Sequence, residues 1–150
     1  MARPRFGSIN LVVADTDATA AFLSALGVDF DPMPPDWAHW AVHHRSFGTD
    51  LPGVDADLDS QSFARWWGGV PDELVPGVVV NLRVDGRDAV DRLHHRALEL
   101  GASELKPPWD AFWGARYSVV QAPGPLCLGF MSEPDASRRT PPPAIADFTD

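Results

Sequence analysis

The sequence predicts an α+β fold in which two βαβββ modules pack their sheets together around a cleft. Three observations predict it. INLVV at residues 9–13 and VNLRV at residues 80–84 match position by position. Each is an apolar, β-branched run typical of a strand. Each leads into an amphipathic helix closed by Leu-Gly, most clearly over residues 79–101. A repeated strand–helix unit therefore organises the chain.

Composition limits the kinds of partner. The chain has 150 residues and a formal net charge of −9, which argues against nucleic acid and against an anionic membrane surface, because like charges repel. Cys127 is the single cysteine, so no intrachain disulfide and no cysteine metal cluster is expected. No apolar run in the sequence is long enough to cross a bilayer. We therefore expect a cytoplasmic protein whose partner is a small molecule.

The first module is predicted over residues 5–67. A buried strand at 8–14 leads into a helix that Asp15 or Asp17 caps and that Gly27 ends. The apolar stripe of this helix consists of Ala18, Ala21, Phe22, Ala25 and Leu26. Further strands are predicted at 28–31, at 37–43 and within 47–54, and a short helix at 60–67.

The second module is predicted over residues 78–132, after a Gly- and Pro-rich linker at 68–77. Its first strand covers residues 78–84, and Gly101 ends its helix. The helix stripe consists of Val90, Leu93, Ala97 and Leu100. Three strands follow at 103–106, 117–121 and 126–131. Residues 133–150 are predicted to be a flexible, Pro-rich tail.

Three stretches of sequence resemble one family. WGARY at residues 113–117 resembles the Trp-Gly-x-Arg stretch in the second half of the vicinal oxygen chelate superfamily. This superfamily holds glyoxalase I, the extradiol dioxygenases and the bleomycin-resistance proteins. The Pro123-Gly124 turn resembles a reduced form of a turn in that family, and residues 10–15 resemble its opening strand. The resemblance spans about residues 5–132 and implies the glyoxalase/bleomycin-resistance fold, assembled as a homodimer.

The resemblance also implies where a metal ion would bind. Metal-dependent members carry His, Gln or Glu at positions that fall on Ser8, Val79 and Gly129. Valine and glycine have no side-chain donor, and a neutral serine hydroxyl is a poor ligand. The sequence therefore predicts a member that binds no metal and no other cofactor.

Other chemistry has little support in the sequence. On the predicted strand, His39 and His43 would share a face ~13 Å apart, too far to hold one ion. His94 and His95 are expected to face solvent. Cys127 lies in an apolar strand, where burial keeps a thiol unreactive. No nucleophile motif and no phosphate-binding loop occurs, and no catalytic residue is assigned.

The aromatic residues give the sharper signal. Six tryptophans against one tyrosine is unusual, and indole rings stack on flat or cationic ligands. The predicted cleft-lining residues are Trp40, Phe47, Trp66, Trp67, Trp109, Phe112 and Trp113, with Asp50 or Asp55 facing a cation. By analogy with the bleomycin-resistance branch, we expect a metal-free protein that sequesters a planar or cationic compound such as an antibiotic.

Three alternatives remain open from the sequence. The first is a glyoxalase-like lyase or dioxygenase with a relocated metal held by His39, His43 or Glu104. The second is a metal-free isomerase or epimerase that uses Tyr117 or a histidine as its acid or base. The third is a scaffold in which the aromatic side chains only fill the core.

Overall fold

The computed structural model describes residues 3–48, 52–124 and 126–149. Within them, seven strands form one sheet in the order β2-β3-β1-β4-β7-β6-β5. The elements are β1 (Arg5–Val13), α1 (Thr16–Ala25), β2 (His44–Phe47), β3 (Asp55–Ser60), α2 (Gln61–Gly68), β4 (Gly77–Val84), α3 (Arg87–Glu99), β5 (Ser103–Asp110), β6 (Arg116–Gln121) and β7 (Cys127–Ser132). No helix in the described ranges is long and apolar enough to span a membrane.

The two modules meet at the centre of the sheet, where β1 and β4 pair antiparallel. Ile9 lies opposite Val80, so the two copies of the sequence repeat face each other. The amide Nδ2 of Asn81 donates to Oδ1 of Asn10 at 2.6 Å. Each module also places its last strand parallel to its first, β3 beside β1 and β7 beside β4. This arrangement confirms the predicted α+β fold.

The first module is less regular than predicted. Residues 28–31 contribute only an isolated bridge, between Phe30 and Phe47. The strand predicted at 37–43 is wrong, because Pro35–Trp40 forms a 3-10 helix. Pro35 suits the first turn of a helix, and its nitrogen has no hydrogen to donate to a neighbouring strand. The strand predicted within 47–54 is also displaced: β2 ends at Phe47, and β3 begins after a turn at residues 52 and 53.

Helix α1 turns its predicted apolar stripe away from the sheet. Asp15 caps the helix by accepting from the Ala18 amide at 2.9 Å, as predicted. The buried residues are Thr16 and Ala20, whereas Phe22 is 64% exposed. The helix starts directly after β1, and in this orientation its small side chains face the protein. The apolar stripe of α1 therefore faces solvent and does not contribute to the core.

Helix α3 follows its prediction more closely. Val90 packs with Val120 and Phe130 on the outer face of the sheet. His94 is buried and its Nε2 lies 2.8 Å from Glu104 Oε2, so the expectation that it faces solvent is wrong. Both α1 and α3 stop where a glycine adopts a positive φ, 94° at Gly27 and 95° at Gly101, a region that side chains disfavour.

The chain after β7 returns across the domain. The amides of Asp135 and Thr140 donate to the carbonyls of Gly114 and Phe112. Near the end of the chain, the Phe148 ring is buried in the core cluster. The sequence predicts a flexible tail here, because its composition is rich in proline and polar residues. Burial of Phe148, with partly buried Ile145 beside it, helps to offset the entropic cost of ordering the segment.

Candidate ligand-binding site

One face of the sheet carries a cleft of about 770 Å³, a size typical of sites for drug-sized ligands. We call its polar strand residues the cleft floor: Ser8, Asn10, His44, Ser46, Asp55, Asp57, Asp59, Asn81 and Arg83. We call its tryptophan and phenylalanine residues the aromatic wall: Trp37, Trp40, Phe47, Phe63, Trp67, Phe112 and Trp113.

The carboxylates of the floor come from β3. Side chains alternate between the two faces of a strand, so Asp55, Asp57 and Asp59 share the cleft face. Ala56 and Leu58 are buried on the opposite face. The signal was present in the sequence as three aspartates at a spacing of two. The sequence prediction names only Asp55 of the three as a cleft residue, because it places the strand at 47–54.

His44 is held as a cation by the carboxylates. Its Nδ1 lies 2.7 Å from Asp59 Oδ1, and its Nε2 lies 3.8 Å from Asp57 Oδ1. Burial lowers the pKa of His44, but the charge and hydrogen bond of Asp59, together with the charge of Asp57, outweigh it and raise this pKa to about 9. His44 is therefore an imidazolium at neutral pH and not a general base.

Asp57 carries a charge that its neighbours only partly compensate. Ser46 Oγ donates to its Oδ1 at 2.7 Å. Burial and the nearby charges of Asp59 and Asp55 raise the pKa of Asp57 to about 6, although His44 and Ser46 oppose the shift. Above that pH the carboxylate is ionised at an energetic cost, which a bound cation would reduce.

Hydrogen bonds link the floor from the first module to the second. Asn10 donates to Asp59 at 2.7 Å and accepts from Asn81. The Tyr117 hydroxyl in turn donates to Asn81 Oδ1 at 2.7 Å. Burial raises the pKa of Tyr117 well above its usual value, so the hydroxyl stays protonated. This argues against Tyr117 as the base of an isomerase.

The residues at the family's metal positions do not fit a metal ion. Ser8 accepts a hydrogen bond from Asn81 at 3.0 Å, and Val79 is fully buried hydrocarbon. A Cβ at Gly129 would collide with Asn81 Oδ1 and with the Tyr117 hydroxyl, so even alanine is too large at that position. The space of the missing ligand is taken by the tyrosine–asparagine hydrogen bond.

The relocated metal site finds no support either. Glu104 pairs with His94 of α3, whereas the Nδ1 of His43 lies 3.0 Å from Ser60 Oγ. His39 sits in the 3-10 helix that replaces the predicted strand. In the part of the chain that the structure describes, no group of three His, Cys, Asp or Glu side chains is arranged to hold a metal ion.

Two of the seven predicted cleft residues lie outside the cleft. Trp40, Phe47, Trp67, Phe112 and Trp113 line it. Trp66 and Trp109 instead flank Lys106, whose Nζ lies 5.8 and 5.1 Å from their ring centroids and donates to the Trp66 carbonyl. These two indoles already contact a cation of the chain itself. Asp50 lies outside the described residues.

The Trp-Gly-x-Arg stretch contributes Trp113 to the cleft lining and connects it to the rest of the second module. Trp113 packs on Tyr117 and its Nε1 donates to Met131 Sδ at 3.4 Å. Arg116 pairs with Asp91 of α3 and with Asp110 of β5, each at 3.0 Å. The stretch therefore joins α3 to the strands that carry the cleft residues.

No family model matches the sequence, and the comparison with curated proteins gives no match. Solved structures do match. A structure described as an NAD-dependent benzaldehyde dehydrogenase from Legionella pneumophila aligns over 83% of this chain and 96% of its own, with 16% identity and a TM-score of 0.55. Methylmalonyl-CoA epimerase from Mycobacterium tuberculosis aligns over 88% and 89%, with 16% identity and a TM-score of 0.54.

A glyoxalase/bleomycin resistance protein/dioxygenase superfamily member from Vibrio splendidus 12B01 aligns over 87% of this chain and 100% of its own, with 19% identity and a TM-score of 0.51. The three neighbours carry different names, and at this identity a shared fold does not transfer a reaction. The chain has the fold of the glyoxalase/bleomycin-resistance, or vicinal oxygen chelate, superfamily.

Proposed function

We propose that this protein binds a flat organic cation, such as a cationic antibiotic, in its cleft and sequesters it without a metal ion and without chemical turnover. The observation that carries the proposal is the position of Asp57 and Asp59 on the floor of a cleft bordered by the seven side chains of the aromatic wall. Carboxylates and aromatic faces are the two groups that attract an organic cation most strongly in a protein.

The charges of the floor support this choice. The floor holds three carboxylates, from Asp55, Asp57 and Asp59, and two cations, His44 and Arg83. Asp31 and Arg139 also line the cleft and cancel each other in this count, so one negative charge among the described lining residues is uncompensated above pH about 6, where Asp57 is ionised. A ligand cation would supply the missing charge, and the aromatic wall would contact its flat body.

The state of three polar groups supports binding without turnover. His44 is a cation at neutral pH, and the Tyr117 hydroxyl is engaged with Asn81. Burial raises the pKa of the Cys127 thiol, so the reactive thiolate is disfavoured. His44, Tyr117 and Cys127 are therefore poorly suited to proton abstraction or nucleophilic attack.

Calorimetric titration with berberine, a flat cation with a permanent charge, tests the proposal. We expect saturable binding with one ligand per chain, and weaker binding below pH about 6, because Asp57 then takes up a proton. Asp57→Asn should weaken binding about tenfold, since it removes a charged partner, and should abolish this pH dependence.

Two controls accompany the titration. Asp88→Asn removes the same charge from an exposed position on α3 and should leave the affinity unchanged. The flat anion 1-pyrenesulfonate should bind much more weakly than berberine. Equal binding of the two compounds, or no binding of either, would contradict the proposal.

A further inference from the structure

We infer that the ligand of this cleft also carries an anionic group, and that Arg83 binds it at the end of the cleft away from His44. The ligand would then be an elongated zwitterion with an aromatic body. This inference rests on the proposed function and adds the ligand's second charge. It concerns a residue that neither the sequence repeat nor the family resemblance singles out.

Among the described residues, Arg83 is the arginine that is buried, and it faces the cleft. Its side chain is 8% exposed, and it lines the cleft from β4. The repeat aligns it with Val12 of the first module, a fully buried apolar residue. A charge in place of a buried valine is costly unless strong partners compensate it.

The partners that Arg83 has within the chain are weak. Its Nη2 lies 3.3 Å from Asp55 Oδ2, and its Nη1 lies 3.8 Å from Glu133 Oε2 and 3.4 Å from the Ser132 carbonyl. Strong guanidinium–carboxylate pairs are shorter and use two parallel hydrogen bonds. The Asp55 and Glu133 side chains are each 67% exposed, so a ligand carboxylate could displace either one into solvent.

The spacing of the floor residues sets the length of the ligand. Asp59, which holds His44, and Asp55, which contacts Arg83, are four residues apart on β3. At the rise of a strand this places the two ends of the floor roughly 13 Å apart. A ligand whose cation lies beside Asp57 and Asp59 and whose anion reaches Arg83 therefore needs an extended body, for which the aromatic wall provides contacts.

Three probe compounds distinguish the contribution of the ligand's cation from that of its anion. The first is 4′-(aminomethyl)biphenyl-4-carboxylate, a rigid zwitterion. The second is its methyl ester, which keeps the cation and lacks the anion, and the third is 4-(aminomethyl)benzoate, a shorter zwitterion. By calorimetry at pH 7.5 we expect the biphenyl zwitterion to bind about tenfold more tightly than its ester, and the short zwitterion to show no such gain.

Variants assign the gain to Arg83. Arg83→Gln should make the biphenyl zwitterion and its ester bind equally, whereas Arg92→Gln, on the exposed face of α3, should preserve the difference. Because a change at a buried arginine can prevent folding, the double variant Asp55→Asn/Glu133→Gln offers a second test at exposed positions. Removing these competitors should strengthen binding of the zwitterion several-fold more than binding of the ester.

The outcomes are distinct. If the ester binds and the carboxylate adds no affinity in the native protein, the inference about Arg83 is wrong and the proposed function stands. The same conclusion follows if the double variant gains nothing for the zwitterion. If neither the ester nor berberine binds, the proposed function fails and the inference fails with it.

Discussion

The last strands of the two modules occupy equivalent places and carry opposite chemistry. β3 lies parallel to β1 with Asp57 opposite Asn10, and β7 lies parallel to β4 with Gly129 opposite Asn81. Two positions further along each strand, Asp59 of the first module corresponds to Met131 of the second. One half of the cleft therefore presents carboxylates, and the other presents a glycine and an apolar side chain.

The difference shows how a repeated backbone builds an asymmetric site. Gly129 leaves room for the Tyr117 hydroxyl to reach Asn81. Asn81 then donates to Asn10, which holds Asp59. The second module thus contributes orientation, shape and the Arg83 guanidinium, whereas the first contributes the carboxylates and the His44 imidazolium. The same strand pairing serves both purposes because side chains on one sheet face can change without changing the ladder.

The largest effect is expected at Gly129. Gly129→Ala should destabilise the protein by about 3 kcal/mol or more, because the new Cβ collides with Asn81 and Tyr117. Urea unfolding measures this loss. Gly48→Ala is the matched control, since among the described residues a Cβ there meets Asp31 Oδ1 at an ordinary 3.9 Å. Equal stability of the Gly129→Ala variant and the native protein would show that the tyrosine–asparagine contact does not depend on the glycine.

The next effect concerns the terminal segment, whose Phe148 ring packs on four aromatic rings of the first module. Phe148 contacts the rings of Trp40, His43, Phe63 and Trp66 at centroid distances of 5.1–6.2 Å. Phe148→Ala should lower the free energy of unfolding by about 2–3 kcal/mol, below the usual cost for a core phenylalanine because the site lies near the chain end. Phe148→Leu should recover most of the loss, and an unaffected melting temperature in the alanine variant would contradict this packing.

A smaller effect should appear in the pH dependence of stability. The folded pKa of His44, about 9, lies above its ordinary value of 6.5. Its contribution is therefore complete below pH 6.5 and is lost as the pH rises through 9. We expect a fall of about 1–2 kcal/mol across that range, reduced by screening because the His44 side chain is 34% exposed. His44→Gln should flatten this part of the stability curve, and an unchanged slope would show that another group causes it.

The smallest effect is expected at Lys106, outside the cleft. Lys106→Met should cost about 0.5–1 kcal/mol, because it removes the cation between Trp66 and Trp109 and keeps most of the aliphatic stem. The emission spectrum of these two tryptophans should change while affinity for berberine stays the same. Altered affinity would place Trp66 and Trp109 in the ligand site after all.

Local patterns were enough to predict much of the fold. The repeat, the Asp15 cap and the two terminating glycines depend on residues within a few positions of one another. The aromatic part of the cleft was also largely predicted, since five of the seven residues line it. Apart from Asp55, the polar floor was not predicted, because its members come from four strands and meet only when the modules pair. Homodimer formation and cytoplasmic location stay predictions.

The sequence by itself determined that two strand–helix units share one sheet, and that the metal positions of the related fold hold Ser8, Val79 and Gly129. Only the tertiary structure decided which aromatic rings meet the cleft, which face of α1 is buried, and where Phe148 docks. The physical reason is separation along the chain. Periodicity and capping act within one element, whereas the contacts of Lys106 with Trp66, or of Asn81 with Asn10, join residues 40 and 71 positions apart.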